Sequence, residues 1–401
     1  MFEEILGLRR PRHLPTAVVS VIEETIDIAL SYSSINHGLR LAAAFDLLAS
    51  IEYYSSVANR GWTYCPNNQP KMFYPYTNTC PRCISHGSFK FTKANKPESG
   101  QIGMVTTELL CEMLELVFKK KQRNIKVYKA SEPIDAIVHD IDAQKLIIAE
   151  VKSAPMMTLP LSIDCEKLTE TVDGELVYSE HTIIDNPLLK KSCIGLFFPK
   201  VGNLPEETVP LQVDWEKEKP FYHALHDLYQ RDSGFFNRYF EYWNIAYKAY
   251  AQKDKSCALF WLTNGCGQPI PRPDEWPARR GTGYESVSDG KTSVGMDRTD
   301  DIKKAIYQVL KLGSEYKPEN ERIKTAIISN IHAVRHYDEY LLTVRDVIWT
   351  TNHSRAITRA AQLDPDTPIY NLFDGILSFT QSDIRDEWIQ EIFDFGGNCG
   401  G

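Results

Sequence analysis

The chain has 401 residues, 43% hydrophobic and 24% charged, with a formal net charge of −8. That length holds two or three domains with ample core, and the composition is that of a soluble globular protein. Nine cysteines at irregular spacing speak against a disulfide framework and for a reducing cytoplasm. No apolar run reaches the ~18–20 residues of a membrane span, and the acidic balance does not advertise nucleic-acid binding, although a local basic cleft would suffice for it.

From the N-terminus, Glu3 and Glu4, then Glu23, Glu24 and Asp27, break any secretory-signal pattern. Residues 14–60 carry apolar side chains at helical spacing, with His37-Gly38 as a break. They predict a packing layer or subunit contact without chemistry. Next come Cys65 and then Cys80-Pro81-Arg82-Cys83 with His86 close behind. Two thiolates aimed at one point by a Cys-x-x-Cys turn, a third upstream and an imidazole fit a tetrahedral structural zinc site. A redox pair would need a strand before a helix, which is not evident here. Cysteines that bind nothing are the other alternative. The region is rich in Asn, Pro and Tyr and has little core of its own, so a metal would supply the missing stabilisation.

An amphipathic helix follows through Val105, Leu109, Leu110, Met113, Leu114 and Val117, ending in three lysines that suit the helix dipole. Glu108, Glu112 and Glu115 fall three or four apart on it, as a solvated acidic face would. Asn124–Tyr128 reads as a strand. Pro133–Asp140 and Lys145–Lys152 then read as two more, joined by the turn Asp142-Ala143-Gln144. Side chains alternate along a strand, so Glu150 and Lys152 share a face and Val151 points away. A hairpin would bring Asp135 to that face, giving two carboxylates and an ammonium. Carboxylates are hard ligands that suit Mg²⁺, and a lysine beside them can orient a water or stabilise developing charge. A solvated edge hairpin is the bland alternative, but a carboxylate at the end of a buried apolar run needs a partner or a role.

Asp135 followed by Glu150-Val151-Lys152 resembles the PD-(D/E)xK nuclease superfamily, with Ile134 standing between Pro133 and Asp135. Among its members the chain is most similar to type II restriction endonucleases, well over residues 97–155 and loosely over 293–331. The resemblance implies a mixed α/β (α+β) fold with a restriction-endonuclease-like α-β-β-β-α-β core. It implies catalytic Asp135, Glu150 and Lys152, with Asp135, Glu150 and Val151 in the magnesium set. Such nucleases often take one more glutamate from the preceding helix, here Glu108, with Glu112 second.

Residues 155–292 interrupt this pattern as a large, mostly helical insertion. Leu159–Leu161 and Ile194–Phe198 are candidate strands. From Trp215 to Gln252 the aromatic spacing predicts a buried helix pair. Asn264–Thr299 reads as a long loop rich in Gly and Pro with Arg272, Arg279, Arg280, Lys291 and Arg298. Loops this long are uncommon without a function, and arginines can fork onto guanine edges or phosphates. A charged surface insertion is the alternative. A helix from Ile302 and a strand at Lys324–Ser329 would complete the core. His332-x-x-x-His336 lacks the glutamate of a zincin motif. A terminal helix is expected near Trp388–Phe393, and the Gly-rich tail has nothing to pack.

The expected organisation is an N-terminal helical segment (1–60), a zinc-binding segment (61–96), the nuclease core (97–154 and 293–331), the insertion (155–292) as candidate DNA-recognition region, and a C-terminal segment (332–401). There is no P-loop, dinucleotide fingerprint or nucleophile elbow. The first expectation is a cytoplasmic, Mg²⁺-dependent, site-specific double-stranded DNA endonuclease with a structural Zn²⁺. It would act as a homodimer, with a cognate methyltransferase as genetic rather than physical partner. A structure-specific repair or recombination nuclease is the second, separated by discrete cleavage of unmodified plasmid. The third is a zinc-containing DNA-binding protein with an inactive nuclease core, which would bind DNA without cutting.

Overall fold

The computed structural model describes residues 2–32, 36–57, 64–65, 71–73, 80–88, 99–164, 169–172, 175–178, 190, 193–263, 294–297, 299–351 and 359–393. In chain order the strands are β1 (Arg9–Arg10), β2 (Tyr64–Cys65), β3 (Lys71–Phe73), β4 (Ile125–Ala130), β5 (Ala136–Asp140) and β6 (Lys145–Lys152). There follow β7 (Leu161–Asp164), β8 (Thr169–Val172), β9 (Glu175–Tyr178), β10 (Cys193–Phe198) and β11 (Glu207–Leu211). The last are β12 (Ile323–Ser329), β13 (Ile348–Trp349), β14 (Tyr370–Asn371), β15 (Gly375–Ser378) and β16 (Asp383–Ile384).

A seven-stranded mixed sheet, ordered β1-β4-β5-β6-β12-β15-β16, is the centre of the fold. Strands β4, β5 and β6 form an antiparallel meander. Its second turn is closed by Asp140, whose Oδ1 accepts from the Ala143 N–H at 2.9 Å, while Gln144 takes φ 52°. Strand β12 then pairs with β6 in parallel, Glu150 opposite Ile327. A parallel partner needs a crossover, and the helix Thr299–Tyr316 is its final leg. The order helix Ser99–Lys120, β4, β5, β6, helix Thr299–Tyr316, β12 is therefore present. The C-terminal segment adds β15 in parallel and β16 antiparallel, which the sequence reading did not anticipate.

Alternation along β6 sorts the two faces. Ile147, Ala149 and Val151 join the large core with Leu109, Met113 and Val117 of helix Ser99–Lys120. Leu146 and Ile148 join Ile137, Ile134 and Leu312 on the other face, under helix Thr299–Tyr316. Helices Thr16–Leu30 and His37–Val57 pack in the first layer, so the break lies before His37 rather than after it.

The expected aromatic helix pair is Pro220–Arg231 and Phe235–Gln252, and Phe221, Phe235, Tyr239 and Trp243 are buried. The expected strand at Ile194–Phe198 is β10, and with β7 and β11 of the insertion and β2 and β3 of the preceding segment it forms a second sheet, ordered β11-β10-β7-β3-β2, which the expectation of a mostly helical insertion left out. Asp46 ties these parts together. Its carboxylate accepts from the Met156 and Met157 N–H groups (3.1 and 2.9 Å) and from Trp243 Nε1 (2.6 Å). Burial pushes this carboxyl up to about 7 despite those three donors. No helix among the described residues is long and apolar enough to cross a membrane.

Candidate active site

The site forms where β5 begins and β6 ends. Ala136 is the register partner of Ala149, yet the Ala149 carbonyl also accepts from the Asp135 N–H at 3.1 Å. Two residues of one strand thus meet one of the other, the pattern of a β-bulge, a device that re-aims a side chain. The Asp135 carboxylate turns onto β6, where its Oδ2 accepts from the Val151 N–H at 2.9 Å. That leaves it beside Glu150. Lys152, two residues on along the same face, donates from Nζ to Glu150 Oε1.

Glu150 is only 9% exposed. Burial, and next the adjoining Asp135 carboxylate, push it up to about 7, although Lys152 pulls the other way. Two carboxylates held together in a half-buried place are costly as a pair of anions. Hard-ligand oxygens in that state fit a divalent cation, which removes the repulsion. The three residues singled out from the sequence are therefore brought together, and Val151 contributes its backbone between them while its side chain lies in the opposite core.

Two residues that sequence reasoning missed hold the end of β6. Ser329 Oγ donates to the Lys152 carbonyl at 2.7 Å. The Asn330 side chain grips Ala154 from both sides, accepting from its N–H at 3.1 Å and donating to its carbonyl at 2.9 Å. No local signal marks a Ser-Asn pair at a strand end, because its role comes only from the parallel pairing of β12 with β6.

The acidic helix face is placed differently. Glu108 Oε1 accepts from the backbone N–H of His13. Arg12 bonds to Glu112 and Glu115, 3.0 Å each, and to the Val127 carbonyl at 2.8 Å. Burial raises Glu112 against the pull of Arg12. Burial also opposes ionisation of Glu115, but the Val127 N–H, Arg12 and Lys126 together hold it low. This row of carboxylates thus fastens the N-terminal segment across the helix.

Among the zinc candidates, Cys80 and Cys83 are buried against Phe197. His86 directs Nε2 to Glu206 Oε2 at 2.9 Å, and the side chain of Cys65 lies outside the described residues. Among the described residues, no group of three or more His, Cys, Asp or Glu side chains forms a candidate metal centre. Arg272, Arg279, Arg280, Lys291 and Arg298 all lie outside the described residues. His332 is buried, which pushes it down to about 4, and its ring packs 5.0 Å from that of Tyr337. No protein-family model, curated protein or solved structure matches this chain.

Proposed function

We propose that the chain is a Mg²⁺-dependent, site-specific endonuclease of double-stranded DNA, of the PD-(D/E)xK type. The observation that carries this reading is the Asp135–Glu150 carboxylate pair with Lys152 on the same strand face. The order of helix, three-strand meander, helix and parallel strand around it agrees with a restriction-endonuclease-like core.

In this reading Asp135 and Glu150 hold the metal, with Val151 between them. The metal, when bound, would neutralise charge building on the scissile phosphoryl oxygens. Lys152 has its ammonium on Glu150 and so lies within reach of the water that attacks phosphorus. It orients that water and stabilises the charge that develops. Ser329 and Asn330 fix the strand that presents Lys152. Cutting both strands takes two such sites, which a homodimer supplies, and sequence readout is assigned to the 264–299 segment. A structural zinc held by Cys65, Cys80 and Cys83 belongs to the same proposal, with His86 as fourth ligand only if it leaves Glu206.

The experiment is incubation of a sequenced plasmid with the purified protein, with Mg²⁺ and with EDTA. Discrete fragments in Mg²⁺ alone support the reading, and Asp135→Asn should abolish them. Structure-dependent nicking would favour a repair nuclease, and binding without cutting would favour an inactive core.

A further inference from the structure

We infer that the N-terminal segment around β1 is a phosphate-binding edge that grips the duplex beside the acidic pair, an inference that rests on the nuclease reading. Arg9 and Arg10 pair with Ala130 and Lys129 at the edge of the central sheet. The Ala130 N–H bonds to the Asp135 carbonyl at 2.9 Å, so this edge lies at the same end of the sheet as the candidate site. Arg9 sits over the ring of Tyr128, 5.2 Å from its centroid, and Tyr128 packs with Ile137 and Ile148. Arg9 therefore occupies the sheet face that carries Glu150.

The spacing suits a duplex. Strand order places β1 three strands from β6, and at about 4.8 Å per step that is about 14 Å. Phosphates on one strand of a duplex recur every ~3.4 Å of axis, so this distance corresponds to about four base pairs. An arginine there meets a phosphate a few positions from the one being cut.

The charges are also available. Among the described residues, Lys119, Lys120 and Lys126 have carboxylate partners, and Arg12 has two. Arg9, Arg10 and Lys129 have no ion pair among the described residues. Arg10 is exposed and lines an open cavity of about 370 Å³ with Arg12, Tyr128 and Glu112, whose carboxylate is held by Arg12. In a chain of net charge −8, these three cations make the edge locally positive, Arg9 on the Glu150 face and Arg10 and Lys129, one residue along, on the opposite face. Glu108, Glu112 and Glu115 hold the adjoining Arg12-His13 in place, so the segment is ordered before any ligand arrives.

Charged side chains also protect sheet edges from pairing with other chains, and the test must separate the two roles. Binding to a short duplex of mixed sequence is measured in EDTA over a range of salt, for wild type, Arg9→Lys and the triple Arg9→Ala/Arg10→Ala/Lys129→Ala. Each lost phosphate contact lowers the slope of log affinity against log salt by about 0.9, so the triple variant should lose about 2–3. Arg9→Lys keeps the charge and should keep the slope. An unchanged slope, or a triple variant that self-associates while binding DNA normally, overturns this inference alone. A wild type that binds no duplex at any salt overturns this inference, and one that also leaves plasmid uncut in Mg²⁺ overturns the nuclease reading with it.

Discussion

Replacing Glu150 by Gln should stabilise the metal-free protein while destroying its activity. The substitution keeps the size of the side chain and an oxygen that can accept from Lys152, but removes the charge facing Asp135. The Glu150 carboxyl is held up to about 7 against an ordinary 4.5. Between those values the folded chain keeps a proton that the unfolded chain has lost. The contribution of Glu150 to wild-type stability therefore falls as pH rises from about 4.5 to 7 and is level above that. At about 1.4 kcal/mol per pH unit the difference approaches roughly 3 kcal/mol, and weakening the Lys152 bond reduces it to roughly 2 kcal/mol. Urea unfolding in EDTA should show Glu150→Gln and wild type nearly equal near pH 4, with the variant gaining steadily up to pH 7. Mg²⁺ should stabilise wild type most above pH 7, where Glu150 is ionised, and the variant hardly at all. A gain that is the same at pH 4.5 and pH 8.5, or no gain, would refute the picture of two carboxylates forced together.

Asp46→Ala leaves two amide donors and an indole N–H without their buried acceptor, at about 1–3 kcal/mol each, so a loss of about 3 kcal/mol or more is expected in urea melts. A wild-type midpoint would show that Asp46 does not join the layers. Asn330→Ala should lower the single-turnover cleavage rate roughly 10- to 100-fold by loosening the strand that presents Lys152. DNA affinity should be unchanged, and a parallel loss of binding would mean that Asn330 acts otherwise. Elemental analysis of fresh protein should find about one equivalent of zinc, and Cys80→Ser with Cys83→Ser should remove it. Metal retained in His86→Ala would move the fourth ligand elsewhere.

The meander was legible because each of its strands is a short apolar run bounded by polar turns. Lys145–Lys152 ends where the alternation ends, and Asp135 reaches Glu150 through a hairpin that the Asp142–Gln144 turn announces. Helix Ser99–Lys120 showed its apolar stripe for the same reason. Its acidic face was harder to read, since three glutamates at helical spacing look alike whether they meet water, a metal or the Arg12-His13 segment. The partner is a hundred residues away and only the folded chain supplies it. Two-residue strands such as β1 and β16 have no periodicity, and Gly375–Ser378 is too short to tell from a loop. They become strands because neighbours offer unpaired backbone groups. Ser329 and Asn330 were invisible likewise, because their contacts to Lys152 and Ala154 exist only once β12 lies parallel to β6.

The most direct test is cleavage of a sequenced plasmid by wild type, Asp135→Asn and Glu150→Gln, each purified identically and shown to be folded. The expected result is one reproducible set of fragments from wild type in Mg²⁺, none in EDTA, and none from either variant. Equal cleavage by all three proteins would trace the activity to a contaminant or another site. Wild type that leaves the plasmid intact in Mg²⁺, while still binding it, would contradict the catalytic assignment of Asp135, Glu150 and Lys152.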